Sequence, residues 1–326
     1  MKDKIKLDKK DLKILSELDK DARQTDSKIA KKVRASKQVV NYRIQQLLKK
    51  NIIENFYTVV NVGKFGISSH YLFLQFEGLN KLSERKLLEK LKGLGFVGWL
   101  VSGTGRWDAV CLVYSRSISE FSKCLNKIIE TCGKNLHEYD FTTLISAEHI
   151  SYKFHYKKNE DYTIRQTEKI NNLSLKKIYR DILPALSQDA RISIVDLSSK
   201  IKSSAHIANY NLKKLVREKI IEGFKPKINV GKLGYQWYLL LIDFQIISEE
   251  RKKEFFNFCK HHKNIYYLTN TIGRYNLMLD IHVNSVEDFK EVLLELKDKF
   301  SDVIKLYESL TIFEEFKIDY FPRALM

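Results

Sequence analysis

Apolar residues recur at helical spacing in three short runs within the first fifty residues. The first run extends from Lys9 to Leu18 behind Asp8, a favourable N-cap, and the second from Asp26 to Val33. The third begins after Ser36, another N-cap residue, and its apolar stripe consists of Val40, Ile44, Leu47 and Leu48. Three short helices with a tight turn between the last two predict a helix-turn-helix, and the β-rich run from Ile52 to Val60 predicts its wing.

Strand and helix patterns alternate over the next hundred residues. The predicted order is strand His70–Glu77, helix Glu84–Lys92, hairpin Phe96–Ser102 with Arg106–Tyr114, helix Ile118–Thr131 and strand Glu138–His149. This order predicts a ferredoxin-like fold, in which both helices cover one face of an antiparallel sheet. The other face is rich in aromatic residues, and we expect another copy of the same sheet to cover it, within one chain or in an oligomer.

The whole pattern occurs twice, at a fixed offset of 168 residues. Asp21-Ala22-Arg23 recurs as Asp189-Ala190-Arg191, and residues 21–66 share 17 identities in 46 positions with the second copy. Residues 157–172, a polar stretch, lie between the copies and are predicted to be a linker or a lead-in to a helix. The chain is therefore a tandem duplication of one unit of about 160 residues.

Positive charge is concentrated in the helical first part of each copy. The chain of 326 residues has a formal net charge of +17, and residues 1–60 hold 16 basic and 8 acidic side chains. Residues 161–228 hold 14 basic and 7 acidic ones, whereas residues 229–326 hold 13 and 15. Because lysine enrichment from genome composition would be even along the chain, this clustering favours duplex DNA as the partner.

Composition excludes several classes. Four cysteines without disulfide-framework spacing and an N-terminal segment without an apolar core predict a cytoplasmic protein rather than a secreted one. The apolar runs are too short for a membrane span, and the eight histidines have no metal-ligand spacing. We expect no metal and no cofactor. The letters Gly93-x-Gly95-x-x-Gly98 match a dinucleotide fingerprint, but a helix precedes them and a strand follows, the reverse of what that site requires.

The third helix of each copy is predicted to enter the major groove, where amide and guanidinium side chains read base edges and lysines contact phosphates. Copy two has Asn211 in place of Arg43, so copy one is expected to bind more strongly. Tyr42 and Tyr210 suit packing about as well as base contact. The candidate DNA-binding residues are Ser36, Lys37, Gln38, Asn41, Tyr42 and Arg43 in copy one, and Ser204, His206, Asn209, Tyr210 and Lys213 in copy two.

These motifs together resemble the Lrp/AsnC (feast/famine) transcriptional regulators. The resemblance is carried by Leu7-Asp8-x-x-Asp11, Asp21-Ala22-Arg23, Ser36 to Ile44, and Gly63-x-x-Gly66 between the domains. It implies a DNA-binding regulator whose ferredoxin-like RAM domains assemble and bind an amino acid or a similar effector. The hairpin resembles that family's Gly-x-x-Asp signature, which implies effector-binding residues Gly103, Gly105, Arg106 and Asp108.

Copy two departs from the family pattern. Asn276 replaces the hairpin acid, so effector binding is expected in copy one rather than copy two. Pro184 is expected to kink or shorten the first helix of the second head. Asn51 and Lys219 stand where the family has a glycine before the wing, and lysine tolerates a left-handed turn poorly.

The sequence therefore predicts an α+β chain with two winged helix-turn-helix domains alternating with two RAM domains. Their expected bounds are 1–62, 63–156, 173–230 and 231–326. The leading interpretation is a DNA-binding transcriptional regulator that is not an enzyme. The alternative is a tetrapyrrole enzyme, because sirohaem decarboxylases resemble the same two-domain arrangement; His70, His149 and Arg106 would be its candidate residues.

Overall fold

The computed structural model describes residues 5–153, 163–167 and 173–321. Both predicted units are present, each with three helices and one strand followed by a β-α-β-β-α-β series. The helices are α1 (Lys9–Lys20), α2 (Asp26–Val33), α3 (Lys37–Lys49), α4 (Lys81–Gly93), α5 (Ile118–Cys132), α6 (Lys177–Gln188), α7 (Ile194–Lys200), α8 (Ala205–Arg217), α9 (Glu249–His261) and α10 (Val286–Phe300). The strands are β1 (Ile53–Val60), β2 (Ser68–Phe76), β3 (Val97–Thr104), β4 (Ala109–Ser115), β5 (Leu136–Ile150), β6 (Thr163–Thr167), β7 (Ile221–Ile228), β8 (Gln236–Phe244), β9 (Ile265–Gly273), β10 (Leu277–Val283) and β11 (Ile304–Ile318).

Local capping sets the bounds of the helices in the two heads, as we call residues 5–62 and 173–230. The Asp8 carboxylate accepts hydrogen bonds from the backbone of Lys10 and Asp11, and Ser36 and Ser204 cap α3 and α8 in the same way. Pro184 lies inside α6, which still extends from Lys177 to Gln188. The helix has 12 residues, the same number as α1, so the expectation that the proline shortens it is wrong.

The strand predicted as a wing pairs with its counterpart in the other copy. Strands β1 and β7 form a two-stranded antiparallel ribbon, with Phe56 opposite Pro226 and Thr58 opposite Phe224. Asn51 and Lys219, just before these strands, both have positive φ, 54° and 56°. The left-handed turn is thus kept in both copies, in Lys219 as well as in Asn51.

The two ferredoxin-like sheets close on each other to form an eight-stranded barrel. The strand order is β5-β2-β4-β3 in copy one and β11-β8-β10-β9 in copy two, and the two sheets join at seams between β3 and β11 and between β5 and β9. Within the predicted linker, β6 pairs with the end of β5; the other linker residues lie outside the described part. The aromatic face is covered by the second copy in the same chain, as one of the two expected arrangements.

Equivalent residues of the two copies meet inside the barrel. The indole N–H of Trp107 donates to the hydroxyl of Tyr275 at 2.8 Å, and these two positions are separated by the repeat offset of 168. Both side chains are fully buried, with Phe73 packed against them. The outer faces of the barrel pack against α4 and α5 in one copy and α9 and α10 in the other. Chain duplication thus builds one shared core from two sheets.

Candidate DNA-binding interface and effector hairpin

The first turns of α3 present polar side chains to solvent. Lys37, Gln38, Asn41 and Tyr42 are all exposed, and Tyr42 retains 64% of its accessible surface. The Asn41 amide donates to the Asp26 carboxylate at 2.8 Å, so it is held at the junction with α2. Four of the residues predicted to contact DNA therefore share one exposed helix face behind the Ser36 cap.

Arg43 has a different environment from its neighbours on α3. Its guanidinium lies 2.6 Å from the Asp8 carboxylate and 2.8 Å from that of Asp11, both at the start of α1. These hydrogen bonds, the one to Asp8 first, raise the pKa of Arg43. The structure thus uses this side chain to fasten α3 to α1, a role that helix periodicity alone does not indicate.

The corresponding face of α8 is polar but lacks this network. His206, Tyr210 and Lys213 are exposed behind the Ser204 cap, and Asn209 is half-buried. Asn211, which replaces Arg43, donates within its own helix to the Ile207 carbonyl. Lys176 and Tyr179 occupy the places of Asp8 and Asp11, so all three members of the network differ in copy two.

The repeated Asp-Ala-Arg motif holds the two heads together. Arg23 donates to the Ala190 carbonyl of the second copy, and Arg191 donates to the Ala22 carbonyl of the first. Arg191 also pairs with Asp26 at 2.7 Å. The sequence marks this motif only as a sign of duplication; its reciprocal contacts fix the position of one head relative to the other.

A buried ion pair connects the heads to the barrel. The Lys225 ammonium lies 2.8 Å from the Asp19 carboxylate, and both side chains are fully buried. Asp19 also accepts a hydrogen bond from the backbone N–H of Tyr152, two residues after the end of β5. Helix α1, the ribbon and the barrel therefore meet at one charged contact.

The predicted effector hairpin is occupied by contacts within the barrel. The Asp108 carboxylate accepts from the backbone N–H of Phe76 at 2.7 Å. In copy two the Asn276 carbonyl oxygen accepts from the equivalent N–H of Phe244, also at 2.7 Å. The acid and the amide therefore have the same structural role, and their difference does not distinguish the copies at this point.

The other residues of the predicted effector hairpin contact the second copy. A Cβ added at Gly103 or Gly105 would lie 2.6 Å from a carbonyl oxygen of β11, so both glycines permit close approach at the seam. The Arg106 guanidinium pairs with Glu138 and Glu308. We therefore assign these residues a role in barrel closure.

The three candidate residues of the enzyme alternative do not converge. The His70 ring bonds to Thr143 and Ser115 and stacks on Phe121 of α5, which places it on the helix side of the sheet. His149 lies at the end of β5 against Tyr267, and Arg106 is on the hairpin. In the described part of the chain there is no cluster of three potential metal ligands.

No helix among the described residues is long and apolar enough to cross a bilayer.

Comparison with known proteins supports the regulator interpretation. Residues 7–54 match a family described as winged helix-turn-helix DNA-binding. The HTH-type transcriptional regulator Ptr1 of Methanocaldococcus jannaschii is 32% identical over 119 residues, which are 36% of this chain and 79% of that protein. The HTH-type transcriptional regulator LrpA of Pyrococcus horikoshii is 31% identical over 125 residues, 37% of this chain and 86% of LrpA. Each of these two alignments is therefore shorter than one copy of the repeated unit.

A likeness over the full length comes from a solved structure. The siroheme decarboxylase NirDL has a TM-score of 0.62 with 14% identity and covers 96% of this chain and 94% of its own. At that identity, the likeness shows a common fold. The fold and the two heads define a duplicated helix-turn-helix protein on a shared barrel. The chain belongs to the Lrp/AsnC family of DNA-binding transcriptional regulators.

Proposed function

We propose that one chain binds duplex DNA with both of its heads, as an intramolecular counterpart of a regulator dimer. The reciprocal contacts of Arg23 and Arg191 and the shared ribbon support this arrangement, because they hold α3 and α8 in fixed relative positions. Paired heads of this kind read two half-sites about one helical turn, 10–10.5 base pairs, apart. The excess positive charge of both heads supplies the phosphate attraction.

For recognition, we assign base contacts to Gln38, Asn41 and Tyr42 and phosphate contacts to Lys37 in copy one. His206, Asn209 and Tyr210 take the corresponding places in copy two, with Lys213 at a phosphate, and Ser36 and Ser204 direct the helix N-termini to the backbone. Arg43 positions α3 through Asp8 and Asp11 rather than reading a base. Copy one is the stronger reader, because its exposed face carries Gln38 where copy two has His206.

Stoichiometry tests this proposal directly. Native mass spectrometry of the chain with a selected duplex should give a complex of one chain and one duplex, and sedimentation without DNA should give a monomer of about 38.4 kDa. Two chains on each pair of half-sites would contradict the intramolecular arrangement.

We also propose that the chain is not a sirohaem decarboxylase. This is supported by the separation of His70 and His149 onto different parts of the barrel and by the engagement of Arg106 in two ion pairs. Purified protein incubated with sirohaem should release no carbon dioxide. Decarboxylation together with a bound chromophore absorbing in the visible would favour the enzyme.

A DNA partner and four buried free cysteines favour the cytoplasm as the location. The amino-acid effector implied for the hairpin has little support there, because the side chains of Arg106 and Asp108 already have partners within the barrel.

A further inference from the structure

A small, partly open cavity lies where the barrel meets the ribbon, away from the β3–β4 hairpin tip. Its volume is about 70 Å³. Since about 10–15 Å³ of such volume accommodates one water-sized group, it holds a ligand of about five non-hydrogen atoms. Tyr57 of β1 and Pro226, Lys227 and Ile228 of β7 form its roof, and barrel strands form its walls.

Eight of the twenty residues that line the cavity are tyrosine or tryptophan. The centroids of Trp99 and Trp237 lie 6.4 Å apart, and those of Tyr57 and Tyr320 lie 5.6 Å apart. The faces of indole and phenol rings carry negative charge density and attract organic cations, an effect that strengthens when water is excluded.

Asp280 contributes a carboxylate to the cavity. It is buried and accepts from the indole N–H of Trp237 at 2.7 Å, and no ion pair to it is present among the described residues. Burial raises the pKa of Asp280 to about 7, with a further contribution from Glu315. A buried carboxylate without a cation is costly unless a cationic partner is supplied.

The cation already at the cavity is balanced by other groups. Lys227 lies 2.9 Å from the Glu54 carboxylate and 3.3 Å from that of Glu315. Lys227 therefore does not compensate the charge of Asp280. The carboxylates of Asp280, Glu54 and Glu315 together disfavour the binding of an anion.

Two buried imidazoles have unsatisfied ring nitrogens. Both ring nitrogens of His149, and Nε2 of His282, lack hydrogen-bond partners among the residues described. Burial lowers the pKa of His282 to about 3 and that of His149 well below its ordinary value. Both rings are therefore neutral, and each has one bare nitrogen that can accept an N–H from a ligand.

Three of the polar lining residues lie in copy two and have different residues as their counterparts in copy one. At the repeat offset, Asp280, His282 and Trp237 correspond to Leu112, Tyr114 and Ser69. The smaller cavity lined by those three residues has a volume of about 20 Å³. Since the barrel is built equally well with the copy-one residues, the polar set in copy two is not a requirement of the fold.

We propose that this cavity binds a small organic cation of the primary-amine class, with Asp280 as its counter-ion, the aromatic rings as its walls and His149 and His282 as hydrogen-bond acceptors. Because Lys227 and Tyr57 belong to the ribbon between the heads, occupancy changes the DNA affinity of the chain. This second part rests on the DNA-binding function proposed above, whereas the binding of the cation does not.

The test compares the binding of n-propylamine with the binding of its neutral isostere propan-1-ol. Binding is measured by the tryptophan fluorescence of the full chain in the absence of DNA. Two of the three tryptophans, Trp99 and Trp237, line the cavity, so occupancy changes their emission. The amine is added as its hydrochloride against matched sodium chloride. We expect saturable binding at least about tenfold tighter for the amine than for the alcohol.

Asp280→Asn keeps an acceptor for Trp237 and removes the charge, and we expect it to weaken amine binding at least about tenfold without affecting the alcohol. Asp280→Leu, which supplies the copy-one residue, should have the same effect if Asp280→Asn folds poorly. Asp243→Asn, which removes a carboxylate paired with Lys305 outside the cavity, is the control and should bind the amine normally. Circular dichroism verifies that each variant is folded.

Equal affinity for amine and alcohol, or full amine binding by the Asp280 variants, would overturn the cavity assignment. Amine binding that leaves the DNA affinity of the wild type unchanged would overturn the coupling alone. If the chain binds no DNA at all, the proposed function fails, while the fluorescence titration still decides the cavity.

Discussion

The two copies make matching contacts at several positions along their shared interface and differ at others, among them the buried ion pair and the exposed helices α3 and α8. Arg23 and Arg191 make matching contacts across the heads, and Asp108 and Asn276 accept equivalent backbone hydrogen bonds in the barrel. At these positions the same geometry is satisfied twice, and the equivalent residues have the same hydrogen-bonding capacity for the contact that they make.

At other positions the residues of the two copies have diverged. The Asp8–Asp11–Arg43 network of the first head is Lys176, Tyr179 and Asn211 in the second. The buried pair of Asp19 and Lys225 has Ser187 and Tyr57 as its counterparts. Duplication within one chain therefore allows each half to specialise, including at contacts between the halves, while the matching contacts of Arg23 and Arg191 are kept.

Removal of one member of the asymmetric ion pair should have the largest effect. Lys225→Met leaves the Asp19 carboxylate buried and unpaired, which we expect to lower the free energy of unfolding by about 3–5 kcal/mol. Urea denaturation measures it. The double variant Asp19→Ser with Lys225→Met should recover much of that loss, since the serine is the residue of the other copy. A double variant less stable than the single one would contradict this account.

Helices α3 and α8 differ in the contacts of Arg43 and its counterpart Asn211. If Arg43 positions α3, Arg43→Ala weakens binding to all DNA sequences alike, and Asp8→Asn with Asp11→Asn reproduces the loss with Arg43 in place. Asn211→Ala should have a smaller effect. Binding to a panel of single-base variants measures this: a loss of about 1–3 kcal/mol confined to one base position would instead identify Arg43 as a base reader.

Asp280 has Leu112 as its counterpart in copy one, so we expect the effect of Asp280 on stability to depend on pH. The folded pKa of Asp280, about 7, lies above its ordinary value of 3.8. Its contribution to stability is therefore present below about pH 4 and is lost as the pH rises towards 7. The difference in Tm between wild type and Asp280→Asn should change over this interval and level off above it. A constant difference from pH 4 to pH 8 would show that Asp280 titrates normally.

The hairpins should show the smallest effect, because they are equivalent. Asp108→Asn and Asn276→Asp both keep the acceptor for the backbone N–H, so we expect changes within about 0.5 kcal/mol in each. Asp108→Ala and Asn276→Ala remove it and should each cost about 1–3 kcal/mol. Thermal denaturation of the four variants provides the measurement, and a large loss in only one copy would show that the hairpins differ in function.

Local signals in the sequence predicted the elements well. The caps Asp8, Ser36 and Ser204 set helix starts because their side chains bond to backbone within three residues. The alternation of strands and helices likewise predicted the ferredoxin-like order. These interactions depend on neighbours in the chain and can be read without knowledge of the fold.

Contacts between the copies could not be read in the same way. The partners of Arg43 come from α1, and the reciprocal carbonyls of Arg23 and Arg191 come from the other head, at separations that helix periodicity does not encode. The cavity around Asp280 combines strands of both copies with the ribbon. Such sites depend on how distant segments pack, which a single sequence does not specify.

The salt dependence of binding to random duplex DNA tests most directly whether both heads bind. We expect the logarithm of the binding constant to fall steeply with the logarithm of salt concentration, with a slope of about −0.9 for each phosphate contacted. Lys37→Ala and Lys213→Ala, one in each head, should each reduce that slope by about 1. An affinity insensitive to salt, or a slope unchanged by Lys213→Ala, would contradict a two-headed DNA-binding chain.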